Sequence, residues 1–597
     1  MEGEWRFTGF YGKPETHRRM EAWNKLRGLN TRPSIPWLCA GDFNEISRQD
    51  EKMGGSLRGH NQMQIFRDVI DECGFIDLGF EGPKFTWSKH FSDGHSIWEQ
   101  LDRGLVNSGF LLKYLGSKVS HLRCMSSDHV PIFINSSGLE APPRKKVFRF
   151  EEMWLSDSSY GETVEVAWRN GGEGDILKKV EKCSKDLEWW EKNCFGNVIR
   201  ELEEKKKLLD KVEAEALRRG DNTRLRELKA KIHVLMDRET RLWSQRLRVL
   251  WLKNGDSNSK FFHTKATQRF RKNSILGIKD RNGNWQEQPE LIGDIIVDFF
   301  GDLFTTCNPA MVDNPLAFIP QLVTDEINEQ LTCEFMSWEV QEALTQMAPL
   351  KAPGPDGMPP LFYQHFWGTM NQEVTSTILT WLNSSKLPHP INHTFITLIP
   401  KVKNPIVVSE YHPISLCNVL YKIFSKVLAN RLKKFMPELI TEHQSAFAKN
   451  RLISDNVLVA FETLHCMKNH NSGKTGFMAV KLDMNKAYDR VEWDYLQKLM
   501  ENKGFCTRWI ELIMEYVRTV SYFILVNGEP KGLINPTRGI WQGDPLSPFL
   551  FLLCSEGLHG LITKATRANE INGFSLCKRS PKLTHLFFAD DSLIFCR

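Results

Sequence analysis

The sequence lacks the features of a membrane protein and of a secreted, disulfide-bonded protein. No apolar run in the 597 residues approaches the length of a bilayer-spanning helix, and residues 1–6 contain no apolar signal-peptide core. The 13 cysteines include no Cys-x-x-Cys pair, so their pattern indicates neither a zinc site nor a disulfide framework. These absences predict a soluble intracellular protein with reduced thiols.

The chain also lacks a strong charge excess. Its net charge of +5 suits a nucleic-acid partner without requiring one. The length of 597 residues and the 41% apolar content predict several domains with sizeable cores. Residues 176–250 are rich in Lys, Glu, Leu and Arg, and we expect two long helices there, broken near residues 220–222, that act as a spacer.

Residues 251–273 interleave aromatic and basic side chains, including Arg269, Arg271 and Lys272. Basic groups bind phosphates and aromatic rings stack on bases, so this segment is a candidate RNA-binding surface. Core packing with a solvated basic face is the alternative.

Two adjacent carboxylates, Asp590 and Asp591, interrupt an apolar run near the end of the sequence. The flanking residues predict a β-hairpin with the acids at its tip. Neighbouring carboxylates repel each other unless a cation neutralises them. A polar turn between two buried strands is the alternative.

Asp483 is the third candidate acid, at the end of a β-prone segment. Tyr488, Val491 and Tyr495 then recur at helical spacing before Gly504, which predicts a helix after this strand. Three carboxylates at one strand end and one hairpin tip can hold two divalent ions for phosphoryl transfer, and Mg²⁺ suits oxygen ligands.

The order of these motifs resembles the palm of reverse transcriptases, and more narrowly the LINE-type non-LTR retrotransposons of plants. Between the acids lies Gln-Gly-Asp-Pro-Leu-Ser-Pro at residues 542–548. Four further motifs match upstream: Leu-Lys-Ala-Pro-Gly-Pro-Asp-Gly at 350–357, Leu-Ile-Pro-Lys at 398–401, Pro-Ile-Ser-Leu-Cys-Asn at 413–418 and Gln-Ser-Ala-Phe at 444–447.

The resemblance implies RNA-directed DNA synthesis with two Mg²⁺ ions, template RNA, primer or target DNA and deoxynucleoside triphosphates. It implies that the metal-binding triad is Asp483, Asp590 and Asp591. Three further positions would contact the nucleotide: Tyr488 under its sugar, Gln542 in its pocket and Lys401 near its triphosphate. Ordinary helix packing is the alternative for Tyr488.

Two positions depart from the family pattern, which usually has Arg where this chain has His412 and Trp541. Arg offers a permanent charge and a forked donor for phosphate, whereas neutral His and Trp do not. We expect both changes to weaken nucleotide or template binding.

The N-terminal region resembles endonuclease/exonuclease/phosphatase domains, which form an αββα sandwich. The matching motifs are Gly-Asp-Phe-Asn at residues 41–44 and Ser-Ser-Asp-His at 126–129. An acid and an imidazole together can activate water for phosphodiester hydrolysis. The resemblance implies that six residues belong to the nuclease site: Tyr11, Asp42, Asn44, Asp102, Asp128 and His129. A capping or surface motif is the alternative for the Asp-His pair.

The predicted fold class is α+β and multidomain. We expect a partial nuclease-like domain at residues 1–137, a helical linker with the RNA-binding segment at 138–330, and reverse transcriptase fingers and palm, without a thumb, at 331–597. The family's metal-binding Glu would precede Tyr11, and the thumb would follow residue 597. We therefore expect no useful endonuclease activity and weak or no polymerase activity.

A non-catalytic nucleic-acid-binding remnant of a retrotransposon is the competing interpretation. A maturase-like polymerase is disfavoured by the nuclease-like region. Family analogy suggests nuclear localisation.

Overall fold

The computed structural model describes residues 4–30, 35–114, 117–122, 127–136, 147–172, 174–219, 222–247, 269, 273–275, 277–309, 315–402, 405–448, 451–469, 476–577 and 580–596. These residues fall into two compact units. The first comprises Met1–Lys145, Glu151–Ser158 and Lys192–Leu276, and the second Lys146–Phe150, Ser159–Glu191 and Gly277–Arg597. Among the described residues, no helix has the length and apolar character needed to cross a bilayer.

The described residues of the first unit include nine strands and five helices with defined bounds. The strands are β1 Arg6–Tyr11, β2 Trp37–Asp42, β3 Lys52–Met53, β4 Phe75–Asp77, β5 Trp87–His90, β6 Ser96–Glu99, β7 Asp102–Asn107, β8 Lys118–His121 and β9 Ile132–Asn135. The helices are α1 Arg19–Leu29, α2 His60–Glu72 and α3 Ser108–Lys113, followed by α6 Val198–Arg219 and α7 Thr223–Leu247. The second unit contributes α4 Ser158–Asn170 and α5 Ile176–Trp190.

The main sheet of the first unit has the strand order β1-β2-β7-β4. Its central strand β2 is apolar at successive positions because both of its faces are covered. Trp37 and Cys39 pack with residues of α1 and α2, whereas Leu38 and Ala40 pack with Val119 of β8. The sheet therefore has α1 and α2 on one face, and β8 together with α3 on the other.

The helices of the second unit, after α4 and α5, are α8 Pro289–Phe304, α9 Asp325–Thr332, α10 Ser337–Thr345, α11 Pro360–His365, α12 Trp367–Ser384, α13 Val419–Lys433, α14 Met436–Leu439, α15 Ile453–Asn469, α16 Trp493–Lys503, α17 Thr507–Arg518 and α18 Ser547–Arg567. Its strands are β10 Ile278–Lys279, β11 Trp285–Gln286, β12 His393–Pro400, β13 Tyr411–Leu416, β14 Met478–Asp483, β15 Ser521–Val526, β16 Glu529–Ile534, β17 His585–Phe588 and β18 Asp591–Cys596.

Two sheets carry the predicted polymerase motifs. One has the order β13-β12-β15-β16 and the other the order β14-β18-β17. Helix α13 is buried around most of its circumference, and most of its residues are apolar. It also carries two buried basic side chains, Lys422 and Arg431.

Arg431 binds a single carboxylate with both arms of its guanidinium. Its Nε and Nη2 atoms each lie 2.8 Å from an oxygen of Glu339 on α10, and its remaining donors bind the carbonyl oxygens of Leu331, Cys333 and Glu334. The guanidinium also lies 3.7 Å from the ring centre of Phe335. A buried guanidinium is tolerated when each of its N–H groups donates a hydrogen bond. Removing its carboxylate partner is destabilising, because the charge is then buried without compensation.

The Pro/Gly-rich motif at residues 350–357 packs against the start of α13. A Cβ on Gly354 would lie 2.4 Å from the backbone nitrogen of Asn418, so a larger residue would collide with backbone. Asn418 accepts a hydrogen bond from the N–H of Asp356 through its side-chain oxygen. This motif is therefore a structural turn that fixes the position of α13.

The mixed α and β architecture is as predicted. Helix α6 ends at Arg219 and α7 begins at Thr223, as expected, and the predicted break at residues 220–222 lies mostly outside the described residues. The expectation of two helices over residues 176–250 was incomplete, because α5 is a separate helix that ends in a π-helical turn at Glu191–Phe195. The three-part domain division at 137 and 330 stays a prediction.

We expect Glu339→Ala to lower the free energy of unfolding by about 3 kcal/mol or more, since it leaves Arg431 buried and unpaired. Burial raises the pKa of Glu339, but hydrogen bonds from Arg431 and the Met336 N–H outweigh it and hold the pKa below the usual 4.5. The stabilisation from the pair is therefore present above pH 4.5 and lost as the pH falls through the folded pKa.

Urea unfolding at pH 7 and at acidic pH measures this effect. Glu342→Ala, at an exposed position of the same helix, is the control. Equal unfolding free energies for the two variants at pH 7 would contradict the assigned role of the pair.

Candidate functional site

The acid pair lies at a β-hairpin, as predicted, although the strands end slightly differently. Strand β17 ends at Phe588 and β18 begins at Asp591, with Ala589 and Asp590 between them. Strand β14 pairs antiparallel with β18, and Asp483 lies directly opposite Asp591. The Met484 N–H donates to the Asp590 carbonyl oxygen at 3.4 Å. This register brings the end of β14 to the hairpin tip.

Gln444 holds the hairpin tip in an unfavourable backbone conformation. Ala589 has a φ of 52°, in the left-handed region that costs a non-glycine residue about 1 kcal/mol or more. The buried side-chain oxygen of Gln444 accepts the Ala589 N–H at 3.1 Å and the Ala446 N–H at 3.0 Å. The next residue also contacts the hairpin, because the Ser445 N–H donates a hydrogen bond to the Phe587 carbonyl oxygen. The Gln-Ser-Ala-Phe motif is therefore a support for the acid pair.

A buried carboxylate fixes the loop that carries Gln542. The oxygens of Asp544 accept hydrogen bonds from the hydroxyl groups of Tyr516 and Ser425 and from the Leu546 N–H. Gly543 has a φ of 106°, which favours glycine, and the Ser415 N–H donates to the Gln542 carbonyl. These contacts hold Gln542 beside β13.

A cleft of about 520 Å³ of empty space lies between these elements. It brings together five residues that the sequence predicted for the site: Lys401, Asp483, Tyr488, Gln542 and Asp590. The other lining residues are His412, Pro413, Met484, Asn485, Lys486, Ala487 and Asp489.

Asp591 does not line this cleft. Its carboxylate forms an ion pair with Lys481 at 3.0 Å, and both side chains are more than half exposed. Asp590 therefore lines the cleft, and the assignment of Asp591 to the metal-binding triad stays a prediction.

Tyr488 forms part of the floor of the cleft. Its ring packs on Phe551 with centroids 4.8 Å apart, and its carbonyl accepts the Ile540 N–H. Burial, followed by the nearby Asp590 charge, raises the pKa of Tyr488 to about 12. The phenol is therefore neutral at physiological pH and presents an uncharged aromatic face. Tyr488 lies in a short 3₁₀ turn, and the predicted helix begins later, at Trp493.

Both acidic and basic side chains line the cleft. Lys486 has a φ of 57°, and burial, ahead of the neighbouring cations, lowers its pKa. Burial raises the pKa of Asp489 to about 6 against the opposing effect of Lys486 and Lys401. Asp483 and Asp590 supply the hard oxygen donors that Mg²⁺ prefers, so the donor set fits a divalent ion.

His412 and Trp541, the two departures from the family pattern, have different surroundings. His412 lines the cleft, and burial, with Lys401 and Lys486 nearby, lowers its pKa, so the imidazole is uncharged at neutral pH. Trp541 is only 1% exposed and packs on Tyr421 and Tyr516. The Trp541 side chain therefore belongs to the core, and the expectation that this departure weakens nucleotide or template binding stays a prediction.

The first unit brings together most of the predicted nuclease residues. The side-chain oxygen of Asp102 lies 2.9 Å from His129 Nδ1, and the Asn44 amide donates to Asp42 at 2.6 Å. Asp42 lies opposite Asp102 in the sheet, and also opposite the largely exposed Tyr11.

The surroundings of these residues shift the pKa values of Asp42 and His129. Burial raises the pKa of Asp42, with a further contribution from the Asp102 charge. The hydrogen bond to Asp102 raises the pKa of His129. Asp128 lies apart from this set, because its exposed carboxylate accepts a hydrogen bond from the Trp87 indole at 3.0 Å. The partner of His129 is therefore Asp102 rather than its sequence neighbour.

Sequence reasoning overlooked Gln444 as a support, and Lys486 and Asp489 as lining residues. The last two follow Asp483 within six positions, so proximity to the predicted acid was the available signal. The candidate RNA-binding segment, with Arg271 and Lys272, lies almost wholly outside the described residues.

Comparison with known proteins agrees with this geometry. Residues 399–597 match the family model of the reverse transcriptase (RNA-dependent DNA polymerase). The chain is 24% identical over 586 residues to the Transposon TX1 uncharacterized 149 kDa protein of Xenopus laevis, covering 93% of this chain and 43% of that protein. It therefore spans less than half of that relative.

Two further relatives cover shorter stretches. The Pol polyprotein from the type-1 retrotransposable element R2 of Nasonia vitripennis is 25% identical over 330 residues, which are 53% of this chain and 30% of that protein. The uncharacterized mitochondrial protein AtMg01250 of Arabidopsis thaliana is 48% identical over 68 residues, which are 11% of this chain and 56% of that protein. Together with the cleft, these matches identify residues 399–597 as a reverse transcriptase domain of the non-LTR retrotransposon kind.

Proposed function

We propose that the cleft is the polymerase site of a LINE-type retrotransposon protein and catalyses RNA-templated synthesis of DNA. The observation that carries this proposal is the convergence of Asp483 and Asp590 beside Tyr488 and Lys401 in one cleft. The substrates are a primer 3′-hydroxyl and a deoxynucleoside triphosphate, with RNA as template. The short, closer match to the Arabidopsis protein supports the plant type within this family.

The residues of the cleft have separable roles in this reaction. Bound Mg²⁺ would activate the 3′-hydroxyl and neutralise the leaving pyrophosphate, and Asp483 and Asp590 would hold it. Lys401 and Lys486 offset the charge of the triphosphate. The neutral ring of Tyr488 lies under the sugar and excludes a 2′-hydroxyl by contact, and Gln542 lines the base side of the pocket.

Target DNA as primer implies that the reaction takes place in the nucleus. Arg269, Arg271 and Lys272 remain the proposed contacts with the RNA template. Asp591 acts indirectly in this proposal, through its ion pair with Lys481 beside the hairpin tip.

We expect Asp590→Asn to lower the rate of single-nucleotide addition at least about 100-fold, the order of magnitude for loss of one electrostatic stabiliser. The assay uses an RNA template, a DNA primer, Mg²⁺ and the purified chain, and we expect short products. Asp591→Asn should lower this rate by a smaller factor, because the Asp591 carboxylate forms an ion pair with Lys481. Asp494→Asn, at an exposed acid of α16, is the neutral control.

Equal product from the wild-type chain and Asp590→Asn would refute the assignment. So would a wild-type chain that neither adds a nucleotide nor binds deoxynucleoside triphosphates in a Mg²⁺-dependent manner.

We expect His412→Arg to lower the nucleotide KM about tenfold, equivalent to about 1.4 kcal/mol. The physical reason is that a permanent guanidinium charge replaces an uncharged imidazole in the cleft. Steady-state kinetics of nucleotide addition measures the change, and His365→Arg, at an exposed position of α11, controls for added surface charge. An unchanged KM in His412→Arg would overturn this role.

A second function is favoured by the cluster in the first unit. We infer that Asp42, Asn44, Asp102 and His129 form a nuclease-type site of an endonuclease/exonuclease/phosphatase-like domain, within an αββα sandwich. The Asp102–His129 pair supports this inference, since a carboxylate that orients an imidazole is the arrangement required for acid–base chemistry at a phosphodiester. Asp128 would act from the rim, where Trp87 holds it.

We expect Asp102→Asn to lower the pKa of His129, because the hydrogen bond and the charge of Asp102 raise it in the wild-type chain. NMR titration of ¹³C-labelled histidine measures this pKa, with His129→Ala identifying the resonance. Asp93→Asn, at an exposed acid that contacts His95, is the control. A His129 pKa unchanged by Asp102→Asn would contradict the pairing.

A further inference from the structure

Three histidines from distant parts of the sequence meet beneath the catalytic hairpin. His443 precedes Gln444, His559 lies in the middle of α18, and His585 begins β17. One ring nitrogen of each lies within 4.8 Å of the others. His559 Nδ1 and His585 Nε2 are only 2.9 Å apart, and the ring of His585 lies 4.5 Å from that of His443.

Two threonine hydroxyls orient the imidazoles. Thr441 Oγ1 lies 3.0 Å from His443 Nδ1, and Thr584 Oγ1 lies 2.8 Å from His585 Nδ1. When each Nδ1–H donates to its hydroxyl, the lone pair of each Nε2 is free to face the cluster. Metal-binding histidines are fixed by this kind of hydrogen bond from the other ring nitrogen.

The imidazoles are uncharged, which is the form that binds metal. Burial, followed by the neighbouring histidines, lowers the pKa of His559 to about 4 and that of His585 to about 3. The charged groups around the cluster largely offset one another. Lys503 lies 3.6 Å from Glu556, and Glu442 adds a negative charge beside His443.

We propose that His443, His559 and His585 form a Zn²⁺ site that joins the loop before Gln444, α18 and β17. Zn–N bonds of about 2.0–2.1 Å in a tetrahedron place ligand nitrogens about 3.3 Å apart, so each ring moves by less than about 1 Å. The ion replaces the hydrogen bond between His559 and His585. When its Nδ1 binds the ion, the neutral imidazole of His559 carries its proton on Nε2 instead of Nδ1. A water molecule takes the fourth coordination position of Zn²⁺.

The site is distinct from the catalytic cleft in chemistry and in place. Its donors are three nitrogens, which favour zinc and other late transition metals over Mg²⁺. Strand β17, which carries His585, leads directly to the acids, since His585 is five residues before Asp590 on the same hairpin. The Phe587 N–H also donates to the His443 carbonyl at 2.8 Å, so the ion would fasten two segments that already pair.

The test measures Zn²⁺ binding to the full chain after removal of metal with a chelator. Asp590→Asn combined with His129→Ala serves as the background, and excess Mg²⁺ is present, so that the two oxygen-rich sites do not contribute. We expect one equivalent of Zn²⁺ by calorimetry and mass spectrometry, a rise in Tm, and the visible absorption of four-coordinate Co²⁺ after substitution.

Two variants at half-buried positions, His559→Gln and His443→Gln, should each abolish stoichiometric binding and the rise in Tm while circular dichroism confirms the fold. Thr441→Val should weaken binding roughly 10–100-fold, as expected for loss of an orienting hydrogen bond. His365→Gln, at an exposed position outside the cluster, should bind normally. Absence of the one equivalent in the background protein, or its retention in both histidine variants, would overturn the proposal.

Discussion

The candidate polymerase site depends on one hydrogen bond, from the Ala589 N–H to the side-chain oxygen of Gln444. It stabilises a left-handed alanine immediately before Asp590, where the chain must turn for β18 to pair with β14. With that register, Asp590 lines the cleft beside Asp483, and without it the acids lose their common position. A net hydrogen-bond contribution of about 1 kcal/mol is comparable to the cost of the strained residue.

The remaining geometry of the cleft follows from burial and charge. Asp544 accepts three hydrogen bonds and thereby fixes the loop of Gln542, while Phe551 supports the ring of Tyr488. Two acids at the cleft edge need a compensating charge. Lys401 and Lys486 provide part of it and a bound divalent ion would provide the rest. Burial, and then the same cations, lower the pKa of His412, which links this departure from the family pattern to the electrostatics of the site.

Much of the site could be predicted from local patterns. Apolar strands flanking Asp590, and the strand that ends at Asp483, are visible in the sequence because strand period and turn residues are local properties. The Asp42 and His129 motifs were likewise visible. The ion pair of Asp591 with Lys481 could not be foreseen, since the two residues lie on different strands about 110 positions apart in the chain. Three further features could not be predicted, because each depends on contacts between residues far apart in the chain. They are the burial of Trp541, the pairing of Asp102 with His129, and the three-histidine cluster.

The central claim is that Asp483 and Asp590 together hold a divalent ion. Electron paramagnetic resonance of Mn²⁺, titrated into the chain in a His129→Ala background, tests it most directly. We expect a binding site in the cleft that is lost in both Asp483→Asn and Asp590→Asn and retained in Asp494→Asn. Mn²⁺ binding that is unchanged in the first two variants would contradict the account.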